Sequence, residues 1–170
     1  GIASDDSKQR MRDRLRDEAE TLWGERASEH YPLLAGLLGL PLEPGQSEQI
    51  RNLDAETLRQ RTFLTVRGWL EELAQRGPLV LTFNDMHWAD ATSIDLVKYC
   101  LPLCDYLDLL WLFVFRPDRR STIWEFRHYL ETEYPHRLVA ITLPPLPPDH
   151  TRALIEQMIG SDALPQDTVD

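Results

Sequence analysis

Residues 78–90, PLVLTFNDMHWAD, constrain the fold more than any other stretch of the chain. Leu79 to Phe83 is a short apolar run, with Gly77-Pro78 before it and polar residues after it. A run so short, punctuated and partly β-branched predicts a buried parallel strand rather than a helix. Asn84, Asp85, His87 and Asp90 crowd its C-terminal end. Open α/β sheets bind ligands outside the carboxyl ends of their strands. An acid there can hold a metal ion or orient a water. The plain alternative is a turn that merely caps the strand.

The same punctuation divides the rest of the chain. Met11, Leu15, Ala19 and Leu22 recur at helical spacing, so 7–29 reads as an amphipathic helix. Pro32 is expected to interrupt it, with a short second helix at 33–39 and a loop at 41–53 carrying Pro41, Pro44 and Gly45. Asp54 is an N-cap candidate for a helix running to about Arg76, with Leu58, Val66, Trp69, Leu70 and Leu73 on its apolar face. Gly77-Pro78 stops it. After the strand at 79–83, Asp90 can cap a helix over 92–101, which Pro102 ends or kinks. Leu109 to Phe115 reads as a second buried strand, followed by a Ser121-capped helix with Ile123, Phe126 and Leu130 inward. Leu138 to Leu143 reads as a third strand. Pro144, Pro145, Pro147 and Pro148 then form a stiff connector, or a proline-rich ligand for a partner, before a helix at 150–159 with Leu154, Ile155, Met158 and Ile159 inward. The expected organisation is a helical segment at 1–53, an αβ core at 54–160 and a tail at 161–170, together one domain.

Charge and cysteine usage exclude several functions. The net charge of −10 disfavours general binding to nucleic acid backbones. Arg10, Arg12, Arg14 and Arg16 alternate with Asp13, Asp17 and Glu18, the pattern of a salt-bridged, solvated face. No apolar run approaches the roughly 18 residues of a membrane span, and no signal peptide opens the chain, so a cytoplasmic location is expected. Cys100 and Cys104, four apart, would share a helix face. They read as small buried hydrophobes, the alternative being a redox pair or half a metal site. Asp85-x-His87 also matches the opening of a two-metal phosphatase motif, but His30, His128, His136 and His150 lack the spacing such a site needs.

LVLTF, Asn84-Asp85 and Met86-His87-Trp88-Ala89-Asp90 together resemble the Walker B segment of STAND-type P-loop ATPases. The likeness is to the module found in bacterial multidomain cyclases, kinases and LuxR-type regulators. In that family four or five apolar residues are followed by two acids and Leu-His-Trp-Ala-Asp. LDLLWLFVFRP at 107–117 is similar to the family's sensor 1 strand, which ends in an arginine, here Arg116. LVAITLPPLP at 138–147 is similar to the next strand and turn, and YPLLAGLLGLPL at 31–42 to the segment upstream of Walker B. The glycine-rich phosphate loop GxxxxGK[ST] is absent: Lys8 and Lys98 are the chain's lysines, and neither follows such a loop.

The resemblance implies an α/β, partial P-loop fold with about three parallel strands (79–83, 109–115, 138–143), flanking helices and a helical N-terminal third. It implies a fragment of a regulatory module whose ATP-bound state controls an attached effector. A non-catalytic interaction scaffold on a degenerate ATPase fold is the alternative. Asp85 would be the catalytic acid. Asn84, standing where the family has an acid, would be a weaker magnesium ligand through water. Arg116 would contact the γ-phosphate. ATP and Mg²⁺ would belong to the complete parent, a slow hydrolase, and this chain alone would be inactive. His87 would order the loop, Trp88 would pack on the following helix, and Asp90 would be an N-cap. In the related fold the phosphate-loop strand lies between the second and third strands seen here. Without it, those two are expected to close the gap by pairing directly, or to exchange between copies through exposed strands.

Overall fold

The computed structural model describes residues 5–116 and 122–159, which fall into two units, 1–129 and 130–170. In the first unit, α1 (Asp5–Trp23), α2 (Ala27–Leu37), α3 (Pro44–Arg51) and α4 (Ala55–Gln75) precede β1 (Leu79–Phe83). α5 (Ala91–Cys100) and β2 (Leu109–Phe113) follow. α6 (Thr122–Glu133) begins in the first unit and ends in the second, which also holds α7 (Pro148–Ile159).

The N-terminal third is helical, but its breaks differ from those expected. α1 ends at Gly24, whose φ of 54° is open to glycine and costly for other residues. Pro32 lies inside α2, with Tyr31, Pro32 and Leu33 all buried. Their burial offsets the hydrogen bond that proline removes. Gly39, at φ 64°, ends α2 while the Leu40 N–H donates to the Ala35 carbonyl across 2.9 Å. The expected loop at 41–53 holds α3 instead. Pro44 starts that helix, where its missing N–H costs nothing, and the Glu43 N–H donates to Gln46 Oε1 at 3.2 Å.

α4 joins two cores. Its Val66 and Trp69 pack on a cluster of Leu15, Ala19, Ala27, Tyr31, Leu34, Ala35 and Leu40. Val66 also borders a second cluster of Leu70, Cys100 and Leu103, which covers Leu79, Leu81 and Trp111 of the sheet. Thr65 is buried at 3% exposure, and its Oγ1 is hydrogen-bonded to His30 Nδ1 at 3.0 Å, which ties α2 to α4. Asp54 caps α4, accepting from the Thr57 N–H at 2.9 Å. Arg67 crosses from α4 to the Tyr99 carbonyl and the Tyr106 hydroxyl, at 2.9 and 3.0 Å.

β1 and β2 are parallel and adjacent, in register from Leu79 opposite Leu109 to Phe83 opposite Phe113. β2 is shorter than the expected 109–115, although the Val114 N–H still donates to the Phe83 carbonyl at 2.8 Å. Alternation along both strands buries one face. Phe83, Trp111 and Phe113 stack there, and Phe126 of α6 meets Phe113 edge-on, ring centroids 5.2 Å apart. Ile123 and Phe126 are fully buried. The other face leaves Val80, Leu110, Leu112 and Val114 between 47% and 59% exposed. A parallel sheet normally has both faces covered.

The expected fold of about three parallel strands is corrected here. The chain is mostly helical, and its sheet, among the described residues, has two strands. Residues 138–143 form no strand, and Val139, Ile141 and Leu143 are 79–84% exposed. An apolar β-branched run becomes a strand only where a neighbour supplies backbone partners. The direct pairing of 109–115 with 138–143 therefore does not form. In α7, Leu154 and Met158, expected to face inward, are exposed. The proposed cap at Ser121 and the tail at 161–170 lie outside the described residues. No described helix is long and apolar enough to cross a membrane.

Candidate functional site

The site is built on the end of β1. Phe83 closes the paired segment, and the chain turns sharply at Asp85, whose φ of 56° and ψ of 34° are left-handed. It is the one non-glycine residue with positive φ among those described. Aspartate tolerates this region better than most residues because its short polar side chain can bond locally. A 3₁₀ turn, Met86–Trp88, follows at once. Met86 is buried, and its N–H donates to the Val114 carbonyl at 3.1 Å. The turn is thereby stitched to the chain just beyond β2. Asp90 then caps α5, its Oδ1 accepting from the Ser93 N–H at 2.7 Å. The Ser93 hydrogen bonds hold the Asp90 carboxyl below its ordinary range.

Phe83, Asn84, Asp85, Met86, Ala89, Ser93, Leu96 and Val97 line an open cleft of about 310 Å³ between the end of β1 and the start of α5. That is the lower bound of ligand pockets, roughly 300 Å³.

Each expected site residue can be placed. Asn84 and Asp85 are exposed and share the cleft wall. Arg116 is exposed and lies three positions past the last residue of β2. It forms no ion pair with Asp85. Asp90 is the N-cap that the sequence suggested. His87 has a side chain 12% exposed, with Nδ1 4.0 Å from Asp85 Oδ1. Trp88 departs from expectation: its ring leans on His87, centroids 4.9 Å apart, but it is 80% exposed and does not pack on the next helix. Met86 was not legible as an anchor, because an apolar residue after a strand says nothing of which backbone it will bond.

The donor set limits the metal chemistry available. No group of three or more His, Cys, Asp and Glu among the described residues could hold a metal ion. Magnesium, however, commonly takes one or two carboxylates and fills the remaining positions with water and substrate phosphate. Asp85 with the Asn84 amide fits that outer-sphere role and does not fit a closed protein cage. Cys100 is buried, and burial pushes its thiol up to about 11, so it behaves as a core residue.

No family model matches the chain, and no solved structure matches it. An uncharacterized protein of Rhizobium meliloti is 30% identical over 105 residues, which cover 62% of this chain and 9% of that protein. The matched region is thus a small part of a much longer polypeptide.

Proposed function

We propose that this segment is the acid-bearing part of a nucleotide-dependent regulatory module within a longer cytoplasmic protein, whose ATP-bound state controls an attached effector. The observation that carries it is the position of Asp85. It stands on a left-handed residue at the carboxyl end of a parallel strand, beside Asn84, on the wall of an open cleft. The resemblance of LVLTF-Asn84-Asp85 and His87-Trp88-Ala89-Asp90 to a Walker B segment supports the same reading.

In this reading Asp85 orients the attacking water and accepts its proton. Asn84 would help hold the magnesium through a water, its amide oxygen bringing no negative charge. Bound magnesium would neutralise charge on the phosphates. Arg116 would offer its guanidinium fork to the terminal phosphate. With one acid in place of two, turnover is slow, which suits a switch with a long-lived bound state. The test is calorimetric titration of Mg-ATP. The full-length protein is expected to bind tightly, and the isolated 170-residue chain no better than about millimolar, since the phosphate loop supplies most triphosphate contacts. Failure of the full-length protein to bind would contradict the proposal.

A non-catalytic scaffold is the second reading. Trp88 at 80% exposure and the uncovered row Val80, Leu110, Leu112 and Val114 favour it, because apolar and aromatic surface of this kind marks contact sites.

A further inference from the structure

His87 has a buried Nδ1 with no hydrogen-bond partner. Buried polar atoms of this kind are uncommon, because an unmade hydrogen bond forfeits solvation without return. The Asp85 carboxylate lies beside it, with Oδ1 at 4.0 Å. The two side chains differ in freedom. The imidazole is 12% exposed, rests against Trp88, and stands on a turn held by the bond from Met86 to Val114. The Asp85 carboxylate is 60% exposed. Closing to a hydrogen bond needs roughly 1.2 Å of movement, and the carboxylate is the group free to make it.

We infer that His87 is a positioning residue for Asp85: its Nδ1–H donates to the carboxylate and holds it on the cleft wall. This rests on the assignment of Asp85 as the functional acid and adds the group that orients it. A carboxylate only accepts, so the proton must sit on Nδ1, leaving Nε2 as the bare nitrogen of the neutral ring. Trp88 shields one side of the imidazole. The pair fixes one rotamer of an otherwise solvated acid, and that pre-orientation is what a water-orienting group requires.

The tautomer of His87 is directly measurable. Long-range proton–nitrogen correlation spectra of the 170-residue chain, recorded where histidines are neutral, are expected to show His87 protonated on Nδ1. Asp85→Gly removes the carboxylate at a backbone angle that glycine adopts freely, and should shift His87 to the Nε2–H form. Asp85→Asn keeps an acceptor oxygen and should retain the Nδ1–H form. Nε2–H in the unaltered chain, or Nδ1–H persisting in Asp85→Gly, would overturn the inference. The unaltered chain decides the point by itself should a variant fail to fold. No nucleotide is involved. A negative tautomer result alongside an Asp85-dependent hydrolysis would sink the pairing alone, and the converse would sink the nucleotide reading alone.

Discussion

The Met86 N–H donates to the Val114 carbonyl across 3.1 Å, so the turn that carries the acid is fastened to the chain leaving the second strand. One strand end presents Asp85 while the neighbouring strand determines where Asp85 can point. The Met86 side chain completes the attachment by burying itself beneath the turn.

Truncating that anchor should be costly and truncating its neighbour should not. Met86→Ala is expected to lose about 2–5 kcal/mol, the range for deleting a buried side chain of this size. Trp88→Ala, at an 80% exposed position, should stay within about 0.5 kcal/mol. Urea unfolding midpoints compare the two, and equal losses would show that the turn is not held as described.

The left-handed backbone at Asp85 gives a second expectation. Asp85→Gly should be more stable than Asp85→Ala by about 1 kcal/mol, because a Cβ is penalised in this region. Thermal unfolding of the two variants measures the difference. Equal stability would mean that the turn relaxes to negative φ.

The uncovered sheet face makes the opposite kind of prediction from a core. Leu110→Thr and Leu112→Thr should each change stability by less than about 0.5 kcal/mol and lower the binding of an apolar fluorescent dye. Phe126→Ala, fully buried against Phe113, should lose about 3–5 kcal/mol. A loss above about 2 kcal/mol at Leu110 would mean that the face is covered in solution.

What the sequence made legible follows from what each signal depends on. The strands at 79–83 and, drawn two residues too long, at 109–115 were readable because short apolar runs with Gly-Pro or polar flanks suit few other structures. Asp54 and Asp90 were readable as caps because the bond they make is local. Residues 138–143 looked equally like a strand, but a strand needs a partner, and the run carries no record of whether one exists. Pro44 was misread because the residue that breaks a helix interior also opens a helix. At the site, Asn84 and Asp85 were picked out by their place at a strand's end and by the resemblance to a Walker B segment. The fixed imidazole of His87 and the exposure of Trp88 depend on a three-residue turn whose geometry no periodicity encodes.

Acid should weaken the N-terminal core through His30. Burial, reinforced by Arg26, holds His30 below its ordinary value. Above the unfolded value, near 6.5, both states are neutral and the Thr65 contact contributes fully. As pH falls through 6.5 the unfolded chain takes up its proton first, and stability drops until the folded histidine also titrates. Urea midpoints at pH 7 and pH 5 should show a smaller difference in His30→Gln. An unchanged difference would place the acid sensitivity elsewhere.

Single-turnover ATP hydrolysis by the full-length protein, comparing Asp85→Asn with Asp90→Asn, tests the central claim most directly. Asp85 is read as the acid that orients water, and Asp90 is the cap of α5. Asp85→Asn should slow hydrolysis by about 10²–10⁴-fold, the usual contribution of a general base. Asp90→Asn, which keeps a capping oxygen, should leave the rate within a few-fold. An unaltered rate in Asp85→Asn, or a loss confined to Asp90→Asn, would contradict the account.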